Sequence, residues 1–191
     1  MHTHLVLLHT LFTPGLLGKS PAFTPRRTPC GETTDRICYG VDGGESQRLL
    51  ADDVRYVADY LRHVGRSNEG AAQFWTMPSG PDCAEWTLPI PGAGSVLALA
   101  KHIDPKVNSS VLYEDLARAV DGGEDASPAE AAEALLGSCG THGGQKGVEA
   151  NLLDPLYHTK EYVKSGAVPR GVLVKLVRAP ERVVGTLGTE L

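Results

Sequence analysis

Apolar and polar positions alternate with two different periods along the chain, and the change of period marks its elements. Val54, Val57, Ala58 and Leu61 recur at i, i+3, i+4 and i+7, one apolar stripe of a helix beginning at or just before Asp52. Asp52 and Asp53 suit its positive end, Arg62 and His63 its negative end, and Gly65 is the expected stop. AAQFWTM then predicts a short strand ending at Pro78, and Ser79-Gly80-Pro81-Asp82 a turn. In the segment after Cys83, Trp86, Leu88 and Ile90 alternate with Glu85 and Thr87. Pro89 and Pro91 make this an edge or strand-end segment, because proline cannot donate to a ladder.

After the turn Pro91-Gly92-Ala93-Gly94, SVLALAKHI is apolar on both faces as far as Ala100, which suits a strand buried on both sides, the preferred reading, or a short buried helix. A helix is expected next, with Asn108, Ser109 and Ser110 as N-cap residues, Leu112, Leu116, Ala119 and Val120 as its stripe, and Gly122-Gly123 as its end. Its Glu114-Asp115 pair is assigned to the solvated side. Ser127-Pro128-Ala129-Glu130 is a capping box with proline at the first helical position, starting a third helix to about Leu136. GSCGTHGGQKG reads as a glycine-rich loop, Tyr157 and Tyr162 as packing partners, GVLVKLVRA as a late strand and RVVGTL as a last edge strand. The fold class that follows is α+β, a small antiparallel sheet with two or three helices packed on it as an α/β sandwich.

The N-terminus changes the picture of where this fold resides. Residues 5–18 read LVLLHTLFTPGLLG, an apolar run of signal-peptide length that is too short, and broken by Pro14, for a membrane span. Ser20-Pro21-Ala22 places small residues for a cut after Ala22, although the preceding MHTH lacks Lys and Arg. Arg26-Arg27, a dibasic pair in a Pro-rich segment before the first cysteine, reads as a processing site, with an ordinary solvated charge pair as the competing reading. The expected organisation is a signal peptide over 1–22, a short propeptide over 23–27 and a single domain over 28–191, with the mature chain starting at Phe23 or Thr28. Trp75 and Trp86 belong in or near the core.

The four cysteines, Cys30, Cys38, Cys83 and Cys139, fit two disulfides in an oxidising compartment. Sequence proximity favours Cys30 with Cys38 and Cys83 with Cys139. Free thiols in an intracellular protein are the competing reading, and zinc is disfavoured because no C-x2-C pair occurs. A formal charge of −5 excludes nucleic acid as the default partner. Asn108-Ser109-Ser110 is an N-glycosylation sequon, in competition with the capping role.

No motif specifies a reaction. Gly92-Ala93-Gly94 lacks the third glycine of a dinucleotide fingerprint, since Leu97 holds that position, and the run 140–147 is not a phosphate loop. Gly143-Gly144-Gln145 matches the release-factor tripeptide without its basic scaffold. Cys139 and His142 are adjacent in sequence, unlike a nucleophile and base that meet across a cleft. The seven histidines (His2, His4, His9, His63, His102, His142 and His158) show no ligand spacing, and no catalytic residue, metal or cofactor is assigned.

The order of features over 30–150 resembles small secreted cysteine-containing proteins of filamentous fungi, the necrosis-inducing extracellular effector family and the killer-toxin-like family. The residues concerned are Cys30-Gly31, the helix DDVRYVADYLR, Cys83 before an aromatic strand, the helix VLYEDLARAVDGG, and Cys139-Gly140. Those families carry further cysteines near the first helix and the end, absent here, and the region beyond Gly147 has no counterpart in them. The resemblance implies an α/β sandwich acting as a virulence effector or growth-inhibiting toxin, without cofactor. The expected function is therefore a secreted, monomeric, non-enzymatic protein that touches an unidentified protein or cell-surface target, with Thr141, His142, Gln145 and Lys146 as the contact loop. The alternative is a secreted hydrolase or hydrolase inhibitor, and it requires Glu85, His102 or His142 to converge in a cleft.

Overall fold

The structure is a computed structural model that describes residues 29–180. The residues expected to form the signal and processing sites, Ala22, Arg26 and Arg27 among them, and the edge strand expected at RVVGTL lie outside the described residues. Among the described residues, seven strands form two sheets. β1 (Ile37–Cys38), β6 (Gly144–Gly147), β7 (Val172–Arg178), β4 (Val96–His102) and β3 (Glu85–Thr87) lie in that order, every neighbouring pair antiparallel. β2 (Phe74–Met77) and β5 (Ser109–Leu112) form a separate antiparallel pair. Five helices accompany them: α1 (Ala51–Arg66), α2 (Tyr113–Asp121), α3 (Pro128–Glu133), α4 (Leu135–Cys139) and α5 (Lys160–Ser165). The α+β class holds.

The sheet has two unlike faces. Val96, Ala98, Ala100 and His102 of β4 and Val172, Val174 and Leu176 of β7 are buried, in register with one another, against a core that includes Val54, Val57, Ala58 and Leu61 of α1 and Leu116, Ala119 and Val120 of α2. The other positions of β4, Leu97, Leu99 and Lys101, are only half-buried, so the strand is not equally apolar on both sides. β3 lies at the sheet edge, as the prolines require.

Four helix readings change, one being the third helix, expected to reach about Leu136: it ends at Glu133, extended backbone at Ala134 interrupts it, and α4 follows as a separate helix. α1 runs through Gly65 to Arg66. A Cβ at Gly65 would meet Tyr113 Cβ at 3.3 Å, so this glycine marks a close approach of α1 to α2 rather than a stop. Arg62 is not an exposed end charge: it is 3% exposed and forks onto Asp121 at 2.6 and 2.7 Å, with Glu114 3.2 Å from its Nε. Asn108, Ser109 and Ser110 do not cap a helix. Ser109 and Ser110 belong to β5, opposite Met77 and Thr76, and α2 starts after Leu112. Pairing with β2 outweighs the capping preference, which is worth about 1 kcal/mol. The capping box at Ser127 is formed as expected, with Ser127 accepting from Glu130 N–H and the Glu130 carboxylate accepting from Ser127 N–H.

The glycine-rich run 137–147 is also not a loop. It contains the end of α4, a 3-10 turn and strand β6. Its glycines allow the N-terminal segment to cross the sheet edge: a Cβ at Gly147 would lie 2.8 Å from Thr34 Cα. Gly147 N–H donates to Thr34 O at 3.1 Å.

The disulfides join Cys30 to Cys83 and Cys38 to Cys139, with Cα separations of 5.5 and 5.0 Å. The expected pairing of Cys30 with Cys38 and Cys83 with Cys139 is thereby corrected. β1 aims Cys38 at the helix-bearing face, where α4 delivers Cys139, while Cys30 precedes the strand and meets Cys83 ahead of β3. Proximity in sequence gives way to the face on which each sulfur stands.

Candidate functional site

The turn after Cys139 is held in place by two neighbours. The disulfide fixes its start, and the extended segment before α1 hydrogen-bonds along it. Leu49 N–H donates to Thr141 O at 2.7 Å, Gln47 N–H to His142 O at 2.8 Å, and His142 Nδ1 lies 3.0 Å from Ser46 Oγ. Thr141 and His142 are exposed. The segment 39–50 that borders them carries Val41 and Leu50, 68% and 62% exposed. Large apolar side chains on a backbone tied by hydrogen bonds and a disulfide form a ready contact surface, because little freedom is lost when they are covered. Gln145 and Lys146 do not share it. Gln145 is buried in β6, donating to Glu32 at 2.7 Å, and Lys146 donates to Glu133 O at 2.8 Å.

Glu85, His102 and His142 do not converge. Glu85 is on the outer face of β3, pairing with Lys175 at 2.5 Å. His102 is buried on the opposite face of β4, with Nε2 3.0 Å from Met77 O. His142 stands at the turn after α4. Cys139 is disulfide-bonded, so it supplies no thiolate to His142. Among the described residues, no group of His, Cys, Asp and Glu has the arrangement of a metal site. No helix among them is long and apolar enough to cross a membrane.

The structure also brings together residues that sequence reasoning did not group. On the outer face of the sheet, Glu32 accepts from Lys101 at 2.8 Å and from Gln145, with Lys175 at 3.4 Å. Burial pushes the Glu32 carboxyl up, but these cations and donors outweigh it and hold it below the usual carboxylate range. The signal was a single lysine in each of two otherwise apolar strands, SVLALAKHI and GVLVKLVRA. Asp115 is 1% exposed, not on the solvated side of α2. Tyr157 Oη donates to it at 2.6 Å, Asn151 N–H at 3.1 Å and Arg118 at 3.1 Å. Burial nevertheless raises its pKa, and burial with the adjacent carboxylate raises that of Tyr157. Asp115 stands at i+3 from Leu112, inside the apolar stripe, which is where its burial was legible.

Tyr157 and Tyr162 pack edge to face at 5.1 Å, the pairing expected from the sequence, and Phe74 joins them at 5.5 and 4.8 Å. Burial pushes the Tyr162 hydroxyl up to about 12. This aromatic group borders a cleft of about 240 Å³ between β2, β5 and α5. No protein-family model matches the chain, and neither a curated protein nor a solved structure matches it.

Proposed function

We propose that this chain is a secreted protein that acts by surface contact on a host or competitor target, as the fungal effector and toxin-like families do, and not by turnover. The observation that carries the reading is the use of all four cysteines in two disulfides. Such bonds persist in oxidising compartments and are reduced in the cytosol. The apolar run ahead of the described residues supports export, and the exposed Val41 and Leu50 on the tethered segment 39–50 support action by contact.

The test is the intact mass of the protein from its host, with alkylation before and after reduction. Protein in the medium starting at Phe23 or Thr28, with no label before reduction and four after it, is the expected result. An unprocessed mass found only in cell lysate, with four labels before reduction, overturns the proposal.

A further inference from the structure

The cleft bordered by Phe74 and Tyr162 has walls that are mostly apolar, with Leu156 and Ala167 beside the rings. At about 240 Å³ it is smaller than the roughly 300 Å³ at which pockets for drug-sized ligands begin. It has room for one ring with a short substituent. Among the hydroxyls that line it, Thr76 Oγ1 and Ser110 Oγ lie 2.8 Å apart, while those of Thr159, Tyr162 and Ser165 donate to backbone oxygens. A hydrogen bond between Thr76 and Ser110 uses one of their two hydroxyl protons and leaves the other available to an acceptor.

Asn108 lines the same cleft. It immediately precedes β5, and the period of two places it on the face of Ser110 and Leu112, the face that meets Phe74 and the tyrosines. Its backbone oxygen accepts from Val168 N–H at 2.9 Å. Its side-chain amide makes no hydrogen bond among the described residues. The capping role that competed with glycosylation is absent, and Asn108-Ser109-Ser110 remains a sequon.

We propose that the cleft seats the first N-acetylglucosamine of an N-linked glycan carried by Asn108, its apolar C–H face against Phe74 and Tyr162. The proposal rests on the secretion reading, since the sugar donor is a lipid-linked oligosaccharide diphosphate of the secretory pathway. Asn108 Nδ2 attacks the anomeric carbon, the N–C bond forms as the C–O bond to diphosphate breaks, the amide proton passes to base, and the lipid diphosphate leaves. The transferase must reach the Ser110 hydroxyl, which the fold buries against Thr76. Transfer therefore precedes the pairing of β2 with β5, and folding then brings the sugar to the aromatic wall. The electron-rich ring faces attract the C–H groups of the sugar, as they attract the edges of other rings.

The experiment uses the full chain secreted from a eukaryotic host and three forms of it: intact glycan, glycan trimmed enzymatically to one N-acetylglucosamine, and the Asn108→Gln variant. The expected result is a Tm shared by the first two and lower by a few degrees in the third. In the single-sugar form the acetamide methyl resonance moves upfield and shows contacts to Phe74 and Tyr162 ring protons, a readout that needs no substitution. Phe74→Ala removes the Tm difference. An occupied Asn108 with an unshifted methyl and equal Tm in all three forms overturns the proposal and leaves the cleft to another occupant. Disulfide-bonded protein in the medium with no glycan on Asn108 overturns it while secretion stands. Retention in the cell with free thiols overturns both.

Discussion

Asp115 is a carboxylate in the core that keeps three donors and still loses part of its preference for charge. Its pKa lies above the ordinary value of about 3.9, through burial first. The folded state therefore holds this proton more tightly than the unfolded one. Its contribution to stability is fully present below the unfolded pKa and declines as pH rises through the folded pKa. Asp115→Asn removes that decline. At low pH the variant is expected to be about 1 kcal/mol less stable, because the asparagine NH2 cannot accept where the acid's hydroxyl oxygen can, and one donor among Tyr157, Asn151 and Arg118 loses its partner. The gap should narrow as pH rises, and urea unfolding across pH 3–7 measures it. Parallel curves for the two proteins would contradict the assignment. Glu32 works in the opposite sense. Its lowered pKa gives stability that is present above the unfolded value and lost as pH falls through the folded one.

Between elements, the contacts of α1 with α2 turn on Arg62. Its guanidinium is shared by Asp121 and Glu114 and has almost no access to water. Arg62→Ala leaves those carboxylates facing each other and is expected to cost about 3 kcal/mol, read from the denaturation midpoint at unchanged slope. The two disulfides differ in access. Cys38 and Cys139 are buried between β1 and α4, while Cys30 and Cys83 are half-exposed. Under mild reductant, Cys30–Cys83 should open first, and alkylation with peptide mapping should find label at Cys30 and Cys83 before Cys38 and Cys139. The reverse order would show that access does not control reduction here. Pattern carried α1, β7, the existence of β4 though not its two-sided burial, and the capping box at Ser127, because each buries a regular face or satisfies its own end. It failed at 108–112 and 137–147. There serine and glycine, read locally as cap and loop, are strand residues whose partners, β2 and the 29–38 segment, are distant in the chain. The charged cluster at Glu32 and the cleft at Asn108 were unreadable for the same reason, since each is assembled from several separate segments.

At the scale of the molecule, the disulfides close loops of 53 and 101 residues. Chain entropy assigns such closures about 4 and about 5 kcal/mol. A domain of this size has a total stability of about 5–15 kcal/mol. The fully reduced chain is therefore expected to lose its cooperative thermal transition and the near-ultraviolet signal of Trp75 and Trp86 at 37 °C. A native-like transition in strong reductant would place the stability in the core instead.

The two bridges interleave, since the order along the chain is Cys30, Cys38, Cys83, Cys139 and each bond spans an end of the other. During synthesis Cys30 and Cys38 emerge together, within reach of each other and long before either native partner exists. At 5–20 residues per second, Cys38 waits about 5–20 s for Cys139. The first crosslink within reach of the nascent chain is thus non-native, and where it forms it must be exchanged away before the native pairs close. In an oxidising compartment the yield is then expected to depend on isomerase capacity as well as on the sequence.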